Sequence, residues 1–352
     1  MAAKKLMLDL PLKLILTEDG ASNFISHKKN LKRIKLADNV EEYGVSLNKF
    51  SPQSIQNMLL LDYVSKIEIS MSEFVSKRQE VMDLSKLIVY SILYKQFDRE
   101  IFQAFISSDC VRKHNRQNPA QLIDEKTDMG EMKLRQILST KNGLIQQTRK
   151  AILAPIWKAI MSNKDYSPEE KNVYLLTSEK FMNRLGLLNW YIITKFSNDE
   201  NFSEMLSSIR SLLSRYMDKS KIAEYISVMV MELALNNENA NIRKEAQQMY
   251  SDRDDINVLV LDPDVRRKIV RELESKHEQV FLSWKIGGGS SAIGKQGRLH
   301  ITLYNKDDEF QEVKENIETK AQADTNKRSL VDFYRELPDG QEGTDLGMYY
   351  LS

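Results

Sequence analysis

Apolar and polar positions change rhythm several times along this chain, and the changes outline its elements. Between residues 5 and 16 leucines alternate with Lys, Asp and Pro, which predicts a short strand or extended arm rather than a helix. Ser51 followed by Pro52 is an N-cap with proline in the first helical turn. It opens a long region predicted to be helical as far as Phe97 or Ser107, with a broken apolar stripe through Ile55, Leu59, Val64, Ile67, Met71, Ile88 and Leu93. Two helices meeting near residues 67–72, or one long helix packed on a partner chain, are both open. Residues 109–129 are polar, include Pro119, and read as a loop. Helices return over 130–138 and 145–161, the second with Pro155 inside it, and Ser167-Pro168-Glu169-Glu170 signals another start. A further helix is expected over 202–217, and a domain boundary at 218–220.

Beyond that boundary, residues 225–246 place Ile226, Val230, Leu233 and Ala240 at helical spacing, while Glu232 and Asn236 stand four apart and share a face. The texture then turns to β. Residues 256–261 (INVLVL) and 280–286 (VFLSWKI) are predicted strands with a charged helix between them, and 298–304 (RLHITLY) pairs with VFLSWKI as a hairpin across the glycine-rich 287–297. Residues 314–327 are charged and almost free of large apolar side chains, as in a lid or loop. The expected segments are an extended arm and basic stretch (1–50), a helical domain (51–218) and a third domain (219–352).

Composition narrows the classes. A chain of 352 residues favours two or three domains, and 41% hydrophobic with 29% charged residues is ordinary for a folded, helix-rich protein. With 51 Lys+Arg against 50 Asp+Glu the net charge is +1, so no global field draws in nucleic acid or an acidic membrane. The local cluster His27, Lys28, Lys29, Lys32, Arg33 and Lys35 carries no interleaved aromatics and reads as a solvated face, which disfavours nucleic acid as a partner. Cys110 is the single cysteine, which excludes an internal disulfide and a cysteine-based zinc site and suits a reducing compartment. Asp9, Pro11 and Lys13 interrupt the first leucine-rich run, and no other run approaches the length that spans a bilayer. The expectation is a cytoplasmic protein with no membrane span.

Candidate chemistry gathers at Glu232 and Asn236. Magnesium takes oxygen ligands in octahedral geometry and keeps several waters, so the Asn236 carbonyl oxygen can serve as a ligand. Glu232 can then order or deprotonate a water for attack on a terminal phosphate. The bland alternative is the polar half of an amphipathic helix. The tail Gly343-Thr344-Asp345-Leu346-Gly347 precedes a predicted helix, and glycine backbone with free helical N–H groups makes a phosphate cradle; a helix-initiating turn is the alternative. Residues 289–295 (GSSAIGK) satisfy most of a P-loop. However, Gln296 lacks the hydroxyl for magnesium and a strand follows where a helix is required, so a hairpin turn reads better. His114 stands five residues before Pro119, the spacing of a phosphoacceptor box, but its surroundings read as an exposed loop.

In this order, a helix bearing Glu232 and Asn236, a hairpin ending in TLYNKDD, a charged lid, Phe333 and GTDLG together resemble the Bergerat-fold ATPases. That family includes sensor histidine kinases, anti-sigma-factor kinases, DNA gyrase and the ninety-kilodalton heat-shock chaperone. The resemblance covers about the last third of the chain. It implies that ELALN is the N-box, with Asn236 the magnesium ligand and Glu232 the acid of the hydrolytic members. Asn305 stands at the adenine-binding aspartate, and Gly343, Thr344, Leu346 and Gly347 belong to the second glycine box. The chain departs from the pattern at Asn305, at Lys306, Asp307 and Asp308 in place of glycines, and at Asp345 in place of another; Ser352 precedes the strands that close such a domain. The implied fold is α+β overall, an all-α N-terminal helical body followed by an α/β-sandwich Bergerat-like ATP-binding domain cut short at its C-terminus. The implied function is a Mg-ATP-binding signalling or regulatory protein, with ATP and Mg2+ as cofactors, hydrolysis or phosphoryl transfer coupled to the helical body, and a protein partner or homodimer held by the N-terminal helices. The alternative is a non-catalytic, degenerate Bergerat-fold module for protein–protein interaction or scaffolding.

Overall fold

Leu8, Leu10, Leu12 and Leu14 are all buried while the residues between them are not, the period-two signature of a strand with one face on a core. This strand is β1 (Leu8–Leu16), and the computed structural model describes it within residues 7–27, 31–37, 40–127, 129–287 and 298–304. Pro11 cannot donate to a ladder, and it sits where the register with the neighbouring strand shifts between Asp9 and Leu12. There follow α1 (Glu18–Ser26), β2 (Lys32–Lys35), β3 (Glu41–Phe50), α2 (Pro52–Leu60) and β4 (Val64–Met71). A single 3-10 turn (Val75–Lys77) leads into α3 (Arg78–Ile106). Then come α4 (Asp109–Gln117), α5 (Glu131–Ser139), α6 (Asn142–Ser162), α7 (Pro168–Arg184), α8 (Leu187–Lys195) and α9 (Phe202–Met249). The described chain closes with α10 (Ile256–Leu259), α11 (Pro263–Ser275), β5 (Val280–Gly287) and β6 (Arg298–Tyr304). The fold is α+β.

Against the expected segments 1–50, 51–218 and 219–352, contacts group the chain into two units, residues 1–89 with 223–352, and residues 90–222. The first unit is built on an antiparallel sheet in the order β2-β3-β1-β4-β5-β6. Its central seam pairs β4 with β5, Ile67 opposite Trp284 and Ile69 opposite Leu282, all four fully buried. That face continues through Leu12 and Leu14 of β1, which stand opposite Ile69 and Ile67. The other face carries a polar pair across the same strands: Lys13 Nζ donates to Glu68 Oε1 at 3.0 Å, and the Ala37 N–H donates to Glu68 Oε2 at 3.2 Å. Helix α1 is pressed onto the turn before β4. Its Gly20 lies where a Cβ would meet the Tyr63 carbonyl oxygen at 2.2 Å, so no other residue fits.

Among its described residues the second unit has helices and no strand. Helix α7 opens with the expected capping box, Ser167 Oγ accepting from the Glu170 N–H at 3.1 Å and Glu170 Oε2 accepting from the Ser167 N–H at 2.9 Å. Asp98 sits at the start of α8, accepting from the Gly186 N–H at 2.8 Å and from the Asn189 amide at 3.0 Å. Burial pushes its carboxyl above the usual range, and those two donors partly oppose the shift. Among the described residues no helix is long and apolar enough to cross a membrane.

Four expectations about elements are corrected. Residues 64–71, placed in a helix, form β4, because Asp62 takes a left-handed conformation (φ 58°) that turns the chain out of α2. Residues 256–261 are a one-turn helix and its exit rather than a strand. The polar stretch from 109 starts with α4, capped by Ser108, rather than a loop. Helix α9 runs unbroken through 218–220, where no Gly or Pro interrupts it. Since the β4–β5 seam joins the two ends of the first unit, Ile67→Ala is expected to cost about 2–5 kcal/mol in a urea unfolding series, whereas the exposed Tyr43→Ala should change stability far less.

Candidate functional site

The buried residues of α9 recur at helical spacing, Ala223, Ser227, Val230, Ala234, Glu238, Ile242 and Glu245, so two acids occupy core positions of its stripe. Glu232 lies beside this stripe and is only 3% exposed. A carboxylate held away from water needs charge or donors around it, and each of these acids finds them on segments other than α9. Arg78, the first residue of α3, places Nη2 3.5 Å from Glu232 Oε1. Glu238 accepts from the Phe74 N–H and, at 3.2 Å, from the Val75 N–H in the turn after β4, and it is ion-paired with Arg266 of α11. Lys276, at the end of α11, donates to Glu245 Oε1 at 2.7 Å. About two turns before Glu232 on α9, the exposed Glu224 pairs with Lys86 at 2.5 Å.

The electrostatics follow from this packing. Burial pushes the Glu238 carboxyl above the usual range despite the Phe74 N–H and the Arg266 guanidinium, which both favour its charged form. The hydrogen bond to Glu245 raises Lys276, which is the mark of a lysine serving as a counter-ion.

Asn236 is half-buried and lies four residues after Glu232 and three after Leu233. Leu233, with Met229 and Val230, lines a cavity of about 150 Å³ closed on the other side by Leu282 of β5 and by Ile301 and Leu303 of β6. The cavity walls are apolar, and its volume is well below the roughly 300–1,000 Å³ of small-molecule pockets. Glu232 and Asn236 are therefore on one helix as expected, but the carboxylate is engaged by Arg78. Asn305, Gly343, Thr344, Leu346 and Gly347, together with Phe333 and the P-loop-like 289–295, lie outside the described residues. Among the described residues no group of three or more His, Cys, Asp or Glu side chains is arranged to hold a metal ion.

Two other candidates are tied into the helical unit. His114 lies within α4, where Nε2 is 3.2 Å from the Gln121 carbonyl oxygen, Nδ1 is 3.1 Å from the Asn118 amide, and the ring packs edge-on against Phe196. The Cys110 thiol is buried and donates to Asp199 at 3.3 Å; burial first, and that carboxylate second, push it up to about 12, which keeps it a thiol at neutral pH.

Arg78, Glu238, Arg266, Glu245 and Lys276 were not singled out from the sequence. A signal existed for the acids, since extending the apolar stripe from Val230 and Ala234 by single turns lands on Glu238 and Glu245. Nothing local pointed to their partners.

A model of the family of unknown function DUF8084 matches residues 3–352. A protein of Treponema pallidum (strain Nichols), described as uncharacterized, is 38% identical over 350 residues, which is 99% of this chain and 90% of that protein. No solved structure matches.

Removing the Glu238 carboxyl strands two backbone donors and a guanidinium. Glu238→Ala is expected to cost about 3–5 kcal/mol by chemical denaturation, and Glu238→Gln, which keeps an acceptor oxygen for the N–H groups, clearly less.

Proposed function

The chain belongs to the DUF8084 family, and we propose that it is a non-catalytic protein-interaction module whose C-terminal third retains a degenerate likeness to the Bergerat-fold ATPases. One observation carries this reading: Glu232, the residue in the position of a hydrolytic acid, is 3% exposed and ion-paired with Arg78. A general base has to reach the water it activates, and burial keeps solvent from the Glu232 carboxylate. A carboxylate buried in the fold with an arginine beside it is poorly placed to take a proton from solvent-borne water. Glu238 and Glu245 support the same view, since α9 uses acids at neighbouring turns to fasten other segments. The sequence departures at Asn305, Lys306, Asp307, Asp308 and Asp345 agree with it. The reading places the protein in the cytoplasm, with its buried Cys110 reduced, and gives it a protein partner.

A second reading, Mg-ATP binding without turnover, is favoured by the half-buried Asn236, one helical turn after the Leu233 that lines the cavity between α9 and the β5–β6 hairpin. In it Asn236 is the magnesium ligand, Asn305 meets adenine, and Gly343, Thr344, Leu346 and Gly347 face the phosphates.

One series of measurements tests both. Phosphate release from Mg-ATP is expected to stay at background for the wild type and for Glu232→Gln, while Glu232→Gln lowers stability by about 1–3 kcal/mol. Steady release that Glu232→Gln abolishes would overturn the module reading. Calorimetric titration with Mg-ATP decides the second: binding that Asn236→Ala weakens about tenfold or more supports it, and equal or absent binding removes it.

A further inference from the structure

The connection between α9 and α11 exposes what the rest of the unit hides. Residues 251–264 read SDRDDINVLVLDPD, with α10 at the centre. The segment is anchored from beneath: Val260 is buried among Ile242, Ala246, Ile269, Val270 and Leu273, and Ile256 packs against the same cluster. Its backbone is tied turn by turn, Val258 and Leu259 N–H donating to the Asp255 carbonyl at 2.9 Å each and Leu261 N–H to the Val258 carbonyl at 3.1 Å. Asp262 then caps α11, accepting from the Asp264 N–H at 2.8 Å and the Val265 N–H at 3.2 Å. On this fixed base Val258 is 67% and Leu261 77% exposed. Three residues apart in a helical turn, they share one edge, opposite the buried Val260.

The edge has a charged rim. Asp252, Asp254 and Asp255 precede it and Asp262 and Asp264 follow it, with Arg253 the one basic residue in residues 251–264. Arg253 is 3.6 Å from Asp255, and Arg267 pairs with Asp264, so the rim keeps a surplus of negative charge. An apolar edge of this kind, held rigidly and left in water, is the form of a recognition knob rather than of a loose loop.

We infer that this knuckle docks a protein partner that presents an apolar cleft or helix face bordered by Lys and Arg. Charge complementarity makes the choice. The acidic rim repels the phosphates of nucleic acids and of anionic lipids, and a symmetric contact between two copies would bring two such rims together. A basic, amphipathic surface satisfies both the apolar edge and its border. The inference names the partner class of the interaction module and rests on that reading.

A fluorescein-labelled amphipathic helical peptide of Leu and Lys, titrated against the full chain by anisotropy, tests it, with a Leu and Glu peptide as control. The Leu–Lys peptide is expected to bind and to weaken with added salt, and the Leu–Glu peptide is not. The double variant Val258→Ser/Leu261→Ser should weaken binding about tenfold or more, and Asp252→Lys/Asp254→Lys should do the same without touching the apolar edge. Both pairs are exposed, so matched thermal melts check that the fold is kept, and either pair alone is sufficient for the test. Equal affinity in wild type and variants overturns the inference. So does self-association in sedimentation, or binding to phosphatidylglycerol vesicles, that Val258→Ser/Leu261→Ser abolishes. Glu232-dependent phosphate release would sink the module reading on its own and leaves these titrations unaffected.

Discussion

A carboxylate removed from water has to be met by opposite charge or by donors, and α9 removes three of them, each about two turns from the next. Glu232 requires Arg78 at the first turn of α3, Glu238 requires the turn after β4 together with Arg266 of α11, and Glu245 requires Lys276. Leaving any one of these unmatched costs several times what a surface ion pair contributes, whereas an apolar replacement for both partners is often neutral. The acids therefore act less as a store of stability than as conditions on which segments lie against α9. The start of α3 is bound by Glu232, the exit of β4 by Glu238, and α11 with its C-cap by Glu238 and Glu245.

The sheet adds a second constraint, because its central seam joins β4 near the start of the chain to β5 near the end of the described residues. Much of it was legible from the residues: β1 from its alternating leucines, and β5 with β6 from a hairpin flanking glycines. Strand β4 was not, for a physical reason. Val64, Ile67 and Met71 fit a helical stripe while Ile67, Ile69 and Met71 fit a strand, and two strong helices flank the segment. What decides is the partner strand at residues 280–287, which no local pattern can name. The reverse error at residues 256–261 has the same origin, since their β-branched residues meet no neighbouring strand and the aspartates with Pro263 set turns instead.

The candidate site was legible in part. That Glu232 and Asn236 share a helix follows from their spacing, and α9 carries both. What spacing cannot tell is whether a carboxylate faces a ligand or an arginine of its own fold, and Arg78 stands far away in sequence. The stripe read from Ile226, Val230, Leu233 and Ala240 also ran slightly off the true core face, which passes through Ala223, Ser227, Val230 and Ala234. A stripe drawn on apolar residues alone skips buried acids, so Glu238 and Glu245 passed as part of a polar half.

The first unit thus holds two populations of acid that obey different physics. Those on α9 are buried and meet Arg78, Arg266 and Lys276 at short range, so salt screens them less than it screens surface pairs. Those around α10 are exposed and outnumber the arginines paired with them, so their field extends into solvent and is screened over about 10 Å at moderate salt. The surplus outside, set around two exposed aliphatic side chains on a hydrogen-bonded turn, is the electrostatic basis of the inferred basic partner.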